Sequence, residues 1–529
     1  MMKNKKILEI LKKNKINSFF LCIPLLTACN NDSKKIIGLL GNATSEGLEK
    51  FLKLSPKINN TDYPINNSNP ETKRGDGNEG LTVEVNVNES SSPDISGYPL
   101  LFIKFNDVGK IDFSNISDVE LLSIQNSDAP LDIQNLRNDL EKILVSETQN
   151  GDWNIAYKPD SSAKLDLSWT NNTGTNVEIT SFTINDVEEF LFKIMGNENI
   201  IIPKFNLDVN DTKIIQIENH NDGDIVICAD ENLTGTTPLN KIFLKTLDEG
   251  DIILGTPGTS GLTDVPNVKS VELIASKNGD ISLGNLGTNI GFNKISSFLL
   301  SSEGGVINVG TIKAKQIDNF LASGVEFSSI SIGNIDIDEV ISNFILGGDA
   351  QIEIGKFSGN GIVNLNALNM TKNGINLDFT DLKGSVDIIT TNQVDVITLS
   401  TSNNMDIIDL GGTNVNLIDN TANTHVSIES DKIINFDASL DKIILGSVVA
   451  TESNFLSETN ATNFADALTK SNLAMAAGQS YYFSYNVANA SEGFSLLFHD
   501  MDDDGSSDIV LSLAGINTDI ITHENLGTL

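Results

Sequence analysis

Oxygen-bearing side chains are grouped in one short loop near the end of the chain, "FHDMDDDGSSDIVLSL" (498–513). Aspartates at alternate positions can turn their oxygens to the same side of a curving loop, where Ca²⁺ binds six to eight oxygen atoms. Gly505 allows the sharp turn that such a loop needs. The alternative is an acidic turn that binds only water. The predicted calcium ligands are Asp500, Asp502, Asp504, the backbone carbonyl of Ser506, and Asp508.

The residues that follow the loop distinguish it from an EF-hand. Leu511 stands at the twelfth position, where an EF-hand has a bidentate glutamate, and "DIVLSL" predicts a strand instead of a helix. The pattern D-x-D-x-D-G-x-x-D between strands resembles the loops of FG-GAP proteins and of S-layer protein tails.

The composition excludes some classes of function. The formal net charge is −36, so the chain offers no surface that could neutralise the phosphates of a nucleic acid. Aromatic residues make up 6% of the chain, while Asn, Ile, Ser and Gly are abundant, which favours a long β architecture with many turns. The four histidines are scattered, and neither H-E-x-x-H nor G-x-S-x-G occurs. We therefore predict no catalytic residues, and no cofactor besides Ca²⁺.

The N-terminus predicts export. A lysine-rich segment precedes the apolar "SFFLCIPLLTA", which is too short to cross a bilayer and is typical of a signal peptide. The sequence "LTAC" before and at Cys29 resembles the bacterial lipobox, which implies cleavage after residue 28 and a lipid on Cys29. An uncleaved anchor is the alternative. Residues 29–80 are rich in Asn, Pro, Ser and Gly and predict a disordered tether.

Residues 81–219 show mostly alternating strand patterns. The segment 131–144, "LDIQNLRNDLEKIL", has apolar residues at helical spacing and predicts one helix. The strand–turn–strand pattern around Trp169 resembles the Ig-like sandwiches of exported proteins, with Trp169 as a core residue.

Residues 220–383 contain repeats. Blocks such as "GDIILGTP", "GDISLGNL" and "GVINVGTI" recur every 22 to 29 residues, and between them recur "ISSFLL", "IDNFLA" and "ISNFIL". A single repeat cannot bury its apolar side, but stacked repeats can bury a continuous one, so the pattern predicts a parallel β-solenoid. An antiparallel sandwich array is the alternative. The repeated Phe298, Phe320 and Phe344 are predicted to stack in the core.

The last third of the chain predicts a change of repeat. Apolar blocks recur every 8 to 11 residues in 384–446, followed by "SDKIINFDASLDKIILG" (430–446). This segment resembles the degenerate β-roll and D-x-I-x-x-F flank of RTX and S-layer proteins of Gram-negative bacteria, although most repeat glycines of that family are missing here. The resemblance implies that residues 447–529 form a small α+β, calcium-binding cap, similar to a type I secretion tail.

Together these features predict an all-β, non-enzymatic, lipid-anchored protein of the bacterial cell envelope, at the outer membrane or cell surface. The expected type is an S-layer protein or adhesin that is bound to the membrane through Cys29. Neighbouring copies of the protein are a further expected partner. The alternatives are a surface module that binds a glycan or host ligand, and a polysaccharide-acting β-helix enzyme.

Overall fold

The computed structural model describes the chain from residue 93 to residue 527, with gaps, and the backbone of four short strands before it. The gaps are 106–108, 126–129, 138–139, 141, 147–150, 159–162, 172–175, 209–211, 221, 228–238, 257–260, 263–267, 289–290, 411–429, 460 and 488–493. The earlier strands are 63–65, 73–74, 80–85 and 90–91.

The described chain winds as a parallel β-solenoid, as the repeats predict. Every strand of its longest ladder, sheet 1, pairs in parallel with the equivalent strand of the next coil. Its strands are Tyr63–Ile65, Gly80–Val85, Leu100–Phe105, Leu121–Gln125, Lys142–Ser146, Ala163–Asn171, Val187–Gly196, Ile214–Asn219, Leu239–Thr246, Val268–Ser276, Ser297–Glu303, Phe320–Gly324, the second half of Ile335–Gly348, Ile362–Met370, Val386–Ile389, Ile407–Asp409, Lys442–Ile444 and Leu526–Gly527.

Sheet 2 follows sheet 1 in the middle coils. It contains the blocks that recur in the sequence, and Ile252, Ile281 and Ile307 lie in direct register in it. Its strands are Val177–Glu178, Ile200–Ile202, Ile225–Ile227, Ile252–Leu254, Ile281–Leu283, Val306–Val309, Ser329–Ile332 and Gln351–Ile354.

Sheet 3 closes each coil. Its first part comprises Ser90–Ser91, Gly109–Asp112, Leu131–Leu136, Asp152–Tyr157, Ser181–Asn185 and Phe205–Asp208. Its second part comprises Gly261–Leu262, Asn285–Leu286, Phe292–Ile295, Ile312–Ile317, the first half of Ile335–Gly348, Lys356–Gly359, Asn376–Leu382, Val396–Thr398, Lys432–Ile434 and Ile509–Ala514. A separate parallel pair joins Lys73–Arg74 to Ile95–Ser96.

Among the described residues, sheet 2 is present only between residues 177 and 354, so the described coils have two sides near each end of the solenoid and three in the middle. The two-sided coils after residue 362 agree with the shorter spacing of the sequence repeats there. The first two-sided coils fall in the segment that resembles an Ig-like sandwich. Their strands pair in parallel and continue sheets 1 and 3, so an antiparallel sandwich is not what the described residues form.

The helix predicted for 131–144 is wrong. Residues Leu131–Leu136 form a strand, Lys142–Ser146 forms another, and both pair with the neighbouring coils. Ile133, Leu136 and Leu140 follow a helical spacing, but Leu131 and Ile133 follow the two-residue period of a strand. The stacked coils on both sides favour the strand because it buries Leu131 and Ile133 and pairs the backbone.

The interior of the solenoid is a continuous apolar core. Phe298, Phe320 and Phe344 stack as predicted, with ring centroids 4.7 and 4.3 Å apart. Trp169 is fully buried and stacks on Trp153 at 4.9 Å, which confirms it as a core residue. Parallel in-register strands place the same position of successive coils about 4.8 Å apart, so like side chains form stacks along the axis.

A compact α+β cap closes the C-terminal end. Helix α1 (Phe464–Ala476) packs against the strands Phe455–Thr459, Tyr481–Tyr485 and Phe494–His499. The last strands of the chain, Ile509–Ala514 and Leu526–Gly527, pair in parallel with the final coil. Two short 3-10 turns, Phe113–Asn115 and His523–Asn525, complete the described elements.

Candidate calcium site and the buried aspartates

The acidic loop connects two antiparallel strands of the cap. Phe494–His499 precedes it and Ile509–Ala514 follows it, and His499 is paired with Ile509 at its base. The loop therefore begins and ends at fixed backbone positions. Asp503 and Gly505 have left-handed backbone conformations, with φ of 59° and 85°, which turn the chain back on itself.

The structure brings together three of the predicted ligands. One carboxylate oxygen from each of Asp500, Asp502 and Asp504 lies within 4.8 Å of the others, and the described residues contain no other such group of three. Asp500 is buried at 2% exposure, whereas Asp502 and Asp504 are exposed. A buried carboxylate with two exposed ones around it fits a hard cation bound at the surface, which water can reach from one side.

Asp508 is placed differently. Its Oδ2 atom accepts hydrogen bonds from the backbone N–H groups of Met501 at 2.7 Å and Asp502 at 3.4 Å, so this carboxylate fixes the beginning of the loop and lies outside the group of three. Ser506 donates its N–H to Asp504 Oδ1 at 2.8 Å, which leaves its carbonyl as a predicted ligand.

Backbone hydrogen bonds hold the three carboxylates in place. Asp500 accepts from the N–H groups of Asp504 at 3.3 Å and Gly505 at 3.0 Å, and Asp502 accepts from Asp504 at 3.2 Å. These donors stabilise the negative charges partly, but they also use carboxylate lone pairs. Ca²⁺ would therefore complete its shell from the remaining oxygens and from water.

Helix α1 supports the far side of the loop. Asn472 Oδ1 accepts the backbone N–H of Ser507 at 2.8 Å, and the hydroxyls of Ser471 and Ser507 are hydrogen-bonded to each other. A Cβ atom on Gly505 would lie 3.4 Å from Ala476 Cα, so the glycine also brings the loop close to the helix. The order of the loop thus depends on the cap as a whole.

His499 belongs to the base of the loop. Its ring is fully buried, stacks on Tyr481 at 4.3 Å, and its Nδ1 lies 3.0 Å from the carbonyl oxygen of Ser480. Burial lowers the pKa of the imidazole below its usual range and favours the neutral ring. Its Nε2 has no hydrogen-bond partner within the described residues. Burial also raises the pKa of Asp500, so a cation bound beside this carboxylate would stabilise its charged form.

A second set of aspartates is buried in the last coils. Asp431 and Asp441 lie in the flank motif, but their partners Asp395 and Asp406 were not predicted as special. All four are at most 3% exposed. Each directly precedes a strand, which is the one signal that marks them in the sequence.

These aspartates form two ladders between coils. Asp395 Oδ1 accepts from Ile375 N at 2.8 Å, and Asp395 N donates to Asp431 Oδ1 at 2.8 Å. On the other side, Asp406 Oδ1 accepts from Val386 N at 2.9 Å, and Asp406 N donates to Asp441 Oδ1 at 3.0 Å. Burial raises the pKa of Asp395 and Asp441, and raises that of Asp406 to about 7.

The predicted lipidation residue, Cys29, lies outside the described residues. In the part of the chain that the structure describes, no helix has the length and apolar character needed to cross a membrane. Comparison with family models, with curated proteins and with solved structures gave no match to this chain.

Proposed function

We propose that this chain is a non-enzymatic, lipid-anchored protein of the bacterial cell surface, of the S-layer or adhesin type. The observation that carries this proposal is the parallel solenoid, whose core runs without interruption from the first described coils to the cap. Such a body is an extended scaffold, since each coil contacts only its neighbours and length is gained by adding coils. The lipobox-like sequence at Cys29 supports attachment at one end.

Calcium is proposed to order the cap at the other end. The loop of Asp500, Asp502 and Asp504 has the ligand chemistry for a hard cation, and its backbone is fixed to helix α1. In a compartment with little free calcium, the aspartates repel each other and the loop is less stable. Outside the cell, at about millimolar calcium, binding to the folded form stabilises it by mass action.

Thermal unfolding tests the calcium part of the proposal. Residues 30–529 are expected to unfold at a higher temperature in about 5 mM Ca²⁺ than in excess chelator, a concentration suited to extracellular sites. The double variant Asp502→Ala/Asp504→Ala should lose this difference. Asp503→Asn is the matched control, since it removes a charge from the same loop outside the group of three. An unfolding temperature that does not respond to calcium would refute the site.

Metabolic labelling tests the anchor independently. The full chain, expressed in a bacterium fed with a labelled fatty acid, should incorporate label and fractionate with membranes. The variant Cys29→Ser should do neither. Unlabelled wild-type protein would refute lipid anchoring without affecting the calcium experiment, because that experiment uses the chain without its first residues.

A further inference from the structure

A shallow groove of about 490 Å³ runs along the corner between sheets 2 and 3 in the middle coils. The lining is formed by neutral polar side chains and by bare backbone, with one valine. The lining residues are Ser282, Asn308, Val309, Gly310, Thr311, Ser331, Gly333 and Asn334. In a chain with a net charge of −36, a groove lined without one charged side chain is a distinct surface.

The polar side chains of the groove are in register. Ser282, Asn308 and Ser331 occupy the same outward position of three successive coils. Adjacent coils are about 4.8 Å apart, so the row spans about 10 Å. None of these three side chains makes a hydrogen bond to another described residue, and neither does the Thr311 hydroxyl. The groove therefore presents a row of hydroxyl and amide groups whose hydrogen-bonding capacity is not used by the protein.

Three backbone N–H groups at the floor of the groove are, in contrast, already paired. Gly310 N donates to Leu283 O at 2.8 Å, and Gly333 N donates to Val309 O at 2.8 Å. Thr311 N donates to Asn285 Oδ1 at 2.9 Å. A Cβ atom on Gly310 would lie 2.4 Å from Asn285 Oδ1, so the glycine is required by the packing of the coils, and the floor has no side chain there.

These features select one class of ligand. A peptide that adds to a sheet needs a row of unpaired backbone groups at a strand edge, whereas the N–H groups of Gly310, Thr311 and Gly333 in the floor are already used. An anionic polymer would be repelled by the acidic chain and would find no cation in the groove. A ligand with many hydroxyls and no charge can exchange hydrogen bonds with Ser, Thr and Asn at several points. We propose that this groove binds a short segment of a neutral polysaccharide, about two or three sugar rings, along the solenoid axis.

The ends of the groove agree with this length. In register, Ser282 is preceded by Ile253 and Ser331 is followed by the exposed Glu353. The row of neutral polar groups is thus limited to three coils. The contact is small and contains no aromatic ring, so a single site binds weakly, and a surface carrying many copies would bind a polymer through many such contacts.

Saturation-transfer NMR and calorimetry with neutral hexasaccharides of glucose, mannose and xylose test the proposal on residues 30–529. At least one should bind, and a galacturonate hexasaccharide should not. The variant Asn308→Val/Ser331→Val should weaken binding about tenfold, the effect of losing two hydrogen bonds. Valine is well tolerated on the outer side of a strand, so the fold should be retained.

The matched control is Ser270→Val/Ser297→Val, an in-register pair on the outer side of sheet 1, which should leave binding unchanged. Failure of every neutral hexasaccharide to bind the wild-type chain would overturn the proposal. So would equal binding by the groove variant, or binding of the galacturonate as tight as that of the neutral sugars.

Discussion

Phenylalanine side chains in the repeats stabilise the fold only where they point into the coil. Phe320 lies between Phe298 and Phe344 in a continuous stack and is 1% exposed. Phe320→Ala should lower the free energy of unfolding by about 3–5 kcal/mol, because it opens a cavity that the stacked coils cannot fill. Urea unfolding of the variant would measure this loss.

Phe327 provides the control for that substitution. It is 94% exposed, in a turn of the same repeat. Phe327→Ala should change the free energy of unfolding by less than about 0.5 kcal/mol. Equal effects of the two substitutions would contradict the assignment of the phenylalanine stack to the core.

Glycines at turns differ in what limits their replacement. Gly348 and Gly478 have similar φ values, +85° and +96°, but a Cβ atom on Gly348 would lie 2.2 Å from Gly324 O, whereas nothing lies within 4 Å of one on Gly478. Gly478→Ala should therefore cost only the strain of a left-handed alanine, about 1 kcal/mol. Gly348→Ala should destabilise the protein clearly more, because the coils must also move apart. The unfolding temperatures of the two variants would distinguish the cost of backbone strain from the cost of the steric clash between coils.

The acidic loop shows how far spacing alone can predict a site. Three of its carboxylates are brought together as the alternation of Asp500, Asp502 and Asp504 suggests, because they lie within one turn of chain. The role of Asp508 in fixing the loop depends on a hydrogen bond to Met501, which spacing does not reveal. Contacts between coils are harder still to predict from the sequence. The hydrogen bond between Asp406 and Asp441 can be predicted only when the register of the stacked coils is known.

At the scale of elements, side-chain ladders at the corners stabilise the beginnings of strands. In the middle coils, an aspartate side chain accepts a hydrogen bond from a backbone N–H of the next coil. Asp251 N donates to Asp224 Oδ1 at 3.1 Å, and Asp280 N donates to Asp251 Oδ1 at 2.8 Å. In the last coils the direction is opposite, because Asp395 and Asp406 accept from the preceding coil. The solenoid thus consists of two sections with ladders of opposite polarity.

The buried ladders of the last coils should make this section more stable in acid than in base. The pKa values of Asp395, Asp406 and Asp441 are raised in the folded chain, so folding takes up protons. Their contribution is complete below the ordinary aspartate value near 4 and is lost as the pH rises through the raised values, for Asp406 about 7. Amide exchange of Val386–Ile389, corrected for the chemical rate, should be faster at about pH 8 than at about pH 5.5.

The variant Asp406→Asn tests the cause of this dependence. The amide oxygen of the asparagine can still accept from Val386 N, but the side chain cannot ionise. The difference in corrected exchange rate between the two pH values should therefore shrink. Asp387 is an exposed residue of the same segment, and Asp387→Asn should leave this difference in exchange rate unchanged. Exchange that slows with rising pH in the wild-type chain would contradict the raised pKa values.

The periodicity of apolar residues predicts where strands lie better than it predicts which strands pair with each other. The strands of sheet 2 coincide with the repeated blocks, because a buried position every second residue is a local property. The segment 131–144 misleads because Ile133, Leu136 and Leu140 follow a helical spacing, while Leu131 and Ile133 follow the two-residue spacing of a strand. Only the neighbouring coils decide between them, by pairing Ile133 with Ile155 on one side and with Ile111 on the other.

The whole molecule has one closed end among its described residues, and the closure has a physical purpose. A parallel solenoid presents unpaired backbone groups on its last coil, where another chain could add. Here the cap covers them, since Ile433 is in register with Leu513 and Ile443 with Leu526. Release of the cap from the last coil is therefore expected to expose this edge and to lower the solubility of the protein.

Leu513→Asp tests this closure. Leu513 is fully buried where the cap meets the last coil, so a carboxylate there would be buried without a partner and would release the cap. The exposed edge should then pair with other chains, and light scattering after size-exclusion chromatography should show assemblies larger than those of the wild-type chain. Leu473→Asp is the control, because Leu473 is 68% exposed on helix α1 and its replacement leaves the joint intact. If Leu513→Asp remained the same size as the wild-type chain while losing the structure of its cap, the edge of the last coil would need no cover. The cap would then serve the calcium loop alone.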